Sequence, residues 1–264
     1  MYAFEYQRPA SLADAIKLHG ASEDASFIAG GQTLIPTLKQ RLRRPTAVID
    51  LGAIAELKGI TVGNNAVTIG AMTCHADVAS SADVKRAIPA LADLAAGIGD
   101  PQVRNCGTIG GSIVNNDPAA DYPAAVVAFG ATVHTSKRTI AGDDFFTGLF
   151  ETALQPGEVV TKVSFSVPKR AAYMKFRNPA SRYAIVGVMV AETASGVRVA
   201  VTGAGPCVFR VTAMEEALAK SFVPSAVKGI AVPPGDLNGD IHATPEYRAH
   251  LIGVMAERAV AAMS

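Results

Sequence analysis

The stretch Ile28-Ala29-Gly30-Gly31-Gln32-Thr33-Leu34 stands between a short apolar run, residues 26–29, and a segment with helical spacing that extends to Leu42. Paired glycines at a strand-to-helix turn let the backbone approach a ligand closely. The free N–H groups at the start of the helix favour an anion such as a pyrophosphate, and Gln32 and Thr33 add hydrogen-bonding side chains. A further apolar run at 47–50 completes a strand–helix–strand order that predicts a small parallel sheet.

A second glycine-rich stretch, Gly107-Thr108-Ile109-Gly110-Gly111-Ser112, precedes a cluster of asparagines and aspartates at 115–121. Exposed N–H groups in such a run suit phosphate oxygens, and a nearby carboxylate suits ribose hydroxyls. Each glycine pair alone is equally compatible with a tight turn. Asp117 fits a helix start better, whereas for Asp121 we favour a ligand role. The two stretches together indicate a dinucleotide held between two subdomains.

After the strand–helix–strand unit, which ends at residue 50, the sequence changes to short runs in which apolar and polar residues alternate. Runs at 59–62 and 67–70 flank a Gly-Asn-Asn turn and predict a hairpin. Similar runs predict an antiparallel sheet that continues to Val167, interrupted by two helices. Pro168-Lys169-Arg170 is a reasonable boundary, and after it we expect two strands, at 184–191 and 197–202, and two helices that begin at Thr212 and Thr244. The mixture of parallel and antiparallel strands with helices predicts an α+β fold.

Composition excludes several classes of protein. The net charge of +1, from 24 basic and 23 acidic residues, argues against nucleic acid as a partner. No apolar stretch is long enough to span a bilayer, and Met1 to Glu5 do not read as a secretory signal. Three separated cysteines without a CxxC pattern, and histidines without metal-ligand spacing, predict no metal site on this chain and fit a reducing cytoplasm.

These motifs resemble those of the FAD-binding medium subunits of molybdenum hydroxylases, the family of the aerobic carbon monoxide dehydrogenase medium subunit and the xanthine dehydrogenase FAD-binding subunit. Residues 29–34 are similar to that family's AGG[QH][ST]L motif, and residues 108–112 to its TIGGN motif. The resemblance covers the whole chain. Ser112 is a departure, because the family pattern has asparagine there; serine keeps a hydroxyl but lacks the amide.

The resemblance implies a two-lobed FAD-binding domain of the PCMH, or vanillyl-alcohol oxidase-like, type, followed by an α+β domain of the carbon monoxide dehydrogenase flavoprotein type. The lobes would span residues 1–57, a small parallel α/β unit, and 58–170, an antiparallel sheet with helices. The C-terminal domain of sheet and helices would span residues 171–264.

The resemblance also implies which residues bind FAD. Both glycine stretches would contact the pyrophosphate and neighbouring groups, Asp121 the adenosine side, and Ile98 would lie near the cofactor. Lys175 and Tyr183 would lie close to the isoalloxazine, although Tyr183 also suits an ordinary core position before a buried strand. The expected cofactor-binding residues are therefore Ile28, Ala29, Gly30, Gly31, Gln32, Thr33, Leu34, Ile98, Thr108, Ile109, Gly110, Gly111, Ser112, Asp121, Lys175 and Tyr183.

In this family, substrate is oxidised at a molybdopterin-type molybdenum cofactor on a large subunit. Electrons would pass through [2Fe–2S] clusters on a small subunit to FAD on this chain, and then to an external acceptor. The implied assembly is a dimer of heterotrimers, and we expect no catalytic acid, base or nucleophile in this chain. Two alternatives are a free-standing FAD-dependent oxidoreductase of the same fold and a nucleotide-binding protein without redox activity.

Overall fold

The computed structural model describes residues 1–263, and its first lobe is a three-stranded parallel sheet with two helices. Ser11 caps the first helix by accepting a hydrogen bond from the Asp14 N–H. The sheet order β1-β3-β2 confirms the predicted parallel unit. Its elements are β1 (Glu5–Gln7), α1 (Leu12–Gly20), β2 (Ala25–Ile28), α2 (Leu34–Lys39) and β3 (Ala47–Asp50). Helix α2 ends three residues before the expected Leu42, because Arg41 has a left-handed backbone with φ of 62°.

The second lobe is built on a five-stranded antiparallel sheet, and helices pack against one face of this sheet. Asn64 and Asn65, with φ of 51° and 57°, form the predicted hairpin turn. The sheet order is β4-β5-β10-β6-β7. Its strands are β4 (Ile60–Gly63), β5 (Ala66–Gly70), β6 (Thr132–Thr135), β7 (Thr139–Ala141) and β10 (Val160–Ser166). The strands β8 (Phe146–Gly148) and β9 (Glu151–Thr152) form a separate two-stranded sheet. The helices are α3 (His75–Ser80), α4 (Ala82–Ala87), α5 (Pro89–Ala96), α6 (Pro101–Cys106), α7 (Ile109–Asn115), α8 (Tyr122–Ala128) and α9 (Gly142–Phe145).

The C-terminal part holds a four-stranded antiparallel sheet, not the two strands expected from the sequence. Its elements are β11 (Arg170–Arg177), β12 (Ala184–Thr193), β13 (Gly196–Thr202), β14 (Phe209–Arg210), α10 (Thr212–Lys220) and α11 (Pro245–Ala261). Strand β11 lacks a clear apolar alternation, and its pairing with the buried strand β12 holds it in the sheet. The helix starts at Thr212 and after Thr244 are confirmed.

The second lobe and the C-terminal sheet are joined through the loop that contains Asp117 and Asp121. The Thr202 hydroxyl donates to the Ala120 carbonyl oxygen at 2.6 Å, and the Gly203 N–H donates to the Pro118 carbonyl oxygen at 2.7 Å. Asp117 makes a local turn, accepting from the Ala119 N–H at 2.9 Å. The observed arrangement is the predicted α+β fold. Among residues 1–263, no helix is long and apolar enough to cross a membrane.

Candidate functional site

A cavity of about 540 Å³ lies between the first and second lobes, a size typical of small-molecule and cofactor sites. Of the predicted site residues, Ala29, Gly30 and Thr108 line it. The remaining lining residues come from the loops and strand ends around it: Gly52, Lys58, Gly59, Ile60, Met72, Thr73, Cys74, Asp77 and Cys106.

The turn from β2 into α2 presents unpaired backbone donors. Gly31 has φ of 72°, a conformation that glycine adopts without strain. The Ile35 N–H bonds to the Gly31 carbonyl and thereby begins the helical hydrogen bonds. Within residues 1–263, the N–H groups from 30 to 33 donate to no acceptor. Such donors at a strand-to-helix turn suit an anion.

Gly30 is where the two glycine stretches meet. A Cβ at this position would lie 2.1 Å from the Cys106 carbonyl oxygen and 2.8 Å from the Gly107 Cα. At Gly111, a Cβ would lie 3.5 Å from the Ala29 Cβ. The structure therefore brings the backbones of both stretches into contact. That they hold a ligand between two subdomains stays a prediction.

The second glycine stretch does not offer the open N–H groups that we expected. Helix α7 begins inside it, with Thr108 as the N-cap accepting from the Gly111 N–H at 3.1 Å. The Ile109 and Gly110 N–H groups donate to the carbonyl oxygens of residues 73 and 71, at 3.1 and 2.8 Å, and the Ser112 N–H donates to Thr108. All four donors are satisfied inside the lobe. This stretch therefore shapes the cavity wall through Thr108, and its direct contact with a cofactor stays a prediction.

Asp121 and Lys175 form a buried ion pair. The Lys175 ammonium lies 2.9 Å from one Asp121 oxygen and also donates to the Gly97 carbonyl oxygen at 2.9 Å. Tyr173 donates its hydroxyl to Asp121 at 2.5 Å. Burial raises the pKa of the Asp121 carboxyl, and Lys175 opposes that rise.

The ion pair brings Ile98 close to Asp121 and Lys175, because Lys175 is bonded to Gly97 and the half-buried Ile98 is the next residue. Three of the predicted residues therefore lie together. None of them lines the cavity. Tyr173 was not predicted from the sequence. A Cβ at Gly187 on the neighbouring strand would lie 2.2 Å from the Tyr173 hydroxyl, so this glycine makes room for the ring to reach Asp121.

Tyr183 directly precedes β12 and does not line the cavity. Its hydroxyl accepts from the Asn178 side chain at 3.1 Å, and its ring packs edge-to-face against His242. The ring is half-buried against the C-terminal core. These contacts account for its position without a cofactor, and its place beside the isoalloxazine stays a prediction.

Two cavity features were missed by the sequence analysis. Lys58 is the cationic residue among the described lining residues, and its ammonium donates to the Gly52 carbonyl oxygen at 2.7 Å. His75 is buried behind the wall, where its backbone N–H donates to the Gly107 carbonyl oxygen at 3.0 Å. Neither has a motif of its own. The available signal was their position beside predicted strands: Lys58 directly precedes the run at 59–62, and His75 follows the run at 67–70.

The buried His75 ring predicts an acid-sensitive fold. Burial, with a smaller contribution from Arg104, lowers the pKa of His75 from 6.5 to about 4. As the pH falls below 6.5, the unfolded chain binds a proton at this residue and the folded chain does not, so stability decreases until about pH 4. We expect this group to remove about 2 kcal/mol from the free energy of unfolding between pH 7.5 and 5.

Urea unfolding at both pH values checks this expectation. The His75→Gln variant should lose about 2 kcal/mol less than the parent over the same interval. A variant whose free energy of unfolding falls as steeply with pH as that of the parent would show that His75 is not held neutral by burial.

The comparisons with known proteins agree with this geometry. Residues 2–169 match the family model described as the FAD binding domain in molybdopterin dehydrogenase. The chain belongs to this family. It is 35% identical to the carbon monoxide dehydrogenase medium chain of Hydrogenophaga pseudoflava, over 97% of this chain and 96% of that one. It is 34% identical to the nicotine 6-hydroxylase medium subunit of Paenarthrobacter nicotinovorans, over 98% and 96% of the two chains.

The fold agrees as well. A chain in the solved structure of carbon monoxide dehydrogenase from Hydrogenophaga pseudoflava superposes with a TM-score of 0.89 at 34% identity, over 99% of this chain and 97% of that one. The predicted resemblance and fold class are therefore confirmed. As a member of this family, the chain is an FAD-binding flavoprotein and a subunit of an oxidoreductase.

Proposed function

We propose that the chain is the FAD-carrying electron-transfer subunit of a heteromeric molybdenum hydroxylase. Electrons would enter from [2Fe–2S] clusters on a small subunit, after substrate oxidation at a molybdenum cofactor on a large subunit, and leave to an external acceptor. The proposed assembly is a dimer of heterotrimers in the cytoplasm. Support comes from relatives of nearly the same length that are named as medium chains of such enzymes.

The observation that carries the proposal is the backbone contact at Gly30 beside unpaired N–H groups and a cavity of about 540 Å³. The donors at 30–33 would hold the FAD pyrophosphate, with Lys58 supplying positive charge in the same cavity. When bound, FAD supplies the electron-carrying chemistry, and this chain binds it, orients it and limits the access of water.

The segments around the buried ion pair would support the flavin half of the cofactor. Lys175 fixes the Gly97 carbonyl, and hence the neighbouring Ile98, to the C-terminal sheet. We therefore assign Asp121 and Lys175 a positioning role in this proposal, because both side chains are buried and already paired. The predicted adenosine contact of Asp121 would require it to release one of these partners.

Ser112 stands where the family pattern has asparagine, and restoring the asparagine is expected to have a small effect on FAD binding. The Ser112 side chain is half-buried, and within residues 1–263 its hydroxyl has no hydrogen-bond partner. Ser112→Asn should hold FAD as tightly as the parent or up to about tenfold more tightly, since one added hydrogen bond contributes about 1 kcal/mol. Equilibrium titration with FAD measures this change, and a large loss of affinity would show that the site has no room for the amide.

The proposed function is tested by electron entry from a reduced partner. The FAD-loaded chain is mixed anaerobically with its separately reduced [2Fe–2S] subunit, and the flavin absorbance near its visible maximum is followed. We expect rapid bleaching, then recovery when an electron-accepting dye is added. A free-standing flavoenzyme predicts no bleaching by the reduced iron–sulfur subunit, and a nucleotide-binding protein without redox activity predicts that the purified chain shows no flavin absorbance.

A further inference from the structure

The turn that joins α5 to α6 presents three successive backbone carbonyl oxygens to cationic side chains. The Gly97 oxygen accepts from the Lys175 ammonium at 2.9 Å. The Ile98 and Gly99 oxygens both accept from one guanidinium nitrogen of Arg104, at 2.9 and 3.0 Å. Hydrogen bonds from an ionised donor are stronger than those between neutral groups, so the two cations fix this turn firmly. We call these three residues, 97–99, the carbonyl turn.

Arg104 lies on a helix that buries none of its own side chains. Helix α6 has six residues, and its first turn is capped by the Asp100 carboxylate, which accepts from the Val103 N–H at 2.8 Å. Arg104 is half-buried, and it forms no ion pair with an acidic side chain of residues 1–263. Its guanidinium is therefore used to hold α6 against the carbonyl turn.

The last residue of α6 belongs to the cavity wall. Cys106 ends the helix and lines the cavity, and its carbonyl oxygen lies so close to Gly30 that a Cβ there would overlap it. Gly30 is the first of the unpaired N–H donors at 30–33. Helix α6, about 9 Å long for its six residues, thus connects the anion-binding turn with the carbonyl turn, and Lys175 joins the carbonyl turn to the buried ion pair.

We propose that Arg104 is a positioning residue for FAD, an inference that rests on the proposed function. The proposed function assigns the pyrophosphate to the donors at 30–33, and the flavin half to the segments around Asp121 and Lys175. Arg104 would hold the carbonyl turn, and with it Ile98, at a fixed separation from the pyrophosphate donors. The protein would then receive both halves of FAD without reordering, and such preorganisation increases affinity.

The decisive experiment compares the affinities of the purified chain for FAD and for ADP, which lacks the flavin half. Arg104→Gln should weaken FAD binding about tenfold and change ADP binding by less than about twofold. The visible spectrum of bound FAD should also shift toward that of free FAD, because the flavin half is held less firmly. Arg104→Lys keeps a cation that can donate to one of the two carbonyl oxygens, so it should recover at least about threefold of the lost FAD affinity.

Arg138→Gln is the matched control. Arg138 also donates to a backbone carbonyl oxygen, that of Ala153 at 2.6 Å, but it does not line the cavity. This variant should bind FAD and ADP within about twofold of the parent. Thermal melts of all the variants separate a loss of affinity from a loss of folded protein.

A merely structural role for Arg104 predicts equal losses of FAD and ADP affinity and an unchanged spectrum of bound FAD. That result would overturn the proposal, as would parental FAD affinity in Arg104→Gln. If the parent chain itself binds FAD no more tightly than ADP, the proposed function fails, and this inference fails with it.

Discussion

Gly30→Val is expected to lower the affinity for FAD about 100-fold while leaving the chain folded. A Cβ at this position would lie 2.1 Å from the Cys106 carbonyl oxygen and 2.7 Å from its carbonyl carbon. Both are backbone atoms, so no side chain can rotate away, and the two glycine stretches must separate. Overpacking of this kind costs up to about 3 kcal/mol, which is about a 100-fold change in affinity if it falls on the ligand-bound arrangement.

Gly63→Val is the matched control, because nothing lies within 4 Å of a Cβ at that position. Flavin-to-protein ratios, FAD titrations and thermal melts of both variants give the answer. The control should bind FAD like the parent. A folded Gly30→Val protein that binds FAD with parental affinity would refute the assignment of this glycine to the cofactor site.

Asp121→Ala is expected to lower the free energy of unfolding by about 3–5 kcal/mol. The substitution leaves the Lys175 ammonium, on a side chain that is only 3% exposed, without its carboxylate partner. It also removes the acceptor of the Tyr173 hydroxyl. The double variant D121L/K175M removes both charges and should recover more than half of the loss, since apolar residues can replace a buried pair.

The exposed pair Arg86–Asp83 provides the comparison. Its side chains are 74% and 65% exposed, so Asp83→Ala should change the free energy of unfolding by less than about 1 kcal/mol. Urea unfolding of the single and double variants measures both effects. Equal losses for Asp121→Ala and Asp83→Ala would contradict the assignment of a buried, structurally essential pair.

The sequence predicted the elements correctly where a segment's own residues determine its structure. The turn between β2 and α2 contains its glycines and a tolerated Pro36 in the first helical turn, and β3 follows at the predicted residues. Strand β11 was missed because its alternation is interrupted by Lys175 and Arg177, and it exists through pairing with β12. Tertiary pairing overrides a weak local pattern in this way.

Of the candidate site, only the two glycine-rich stretches could be predicted from the residues themselves. Helix α7 was not expected from a stretch rich in glycine, because the Thr108 cap and the bonds to residues 71 and 73 come from contacts that the sequence does not display. The ion pair joins residues 54 positions apart, and no spacing rule connects them. Family resemblance pointed to Asp121 and Lys175 separately, but not to their pairing.

The most direct test of the account is competition at the FAD site by the two halves of the cofactor. The donors at 30–33 are assigned to the pyrophosphate, so ADP, which contains it, should displace FAD from the purified chain. FMN lacks the pyrophosphate and should bind far more weakly than FAD. Fluorescence titration with FAD, FMN and ADP gives the three affinities. One FAD per chain, competed by ADP, is the predicted result; binding of FMN as tight as that of FAD, with no competition by ADP, would contradict it.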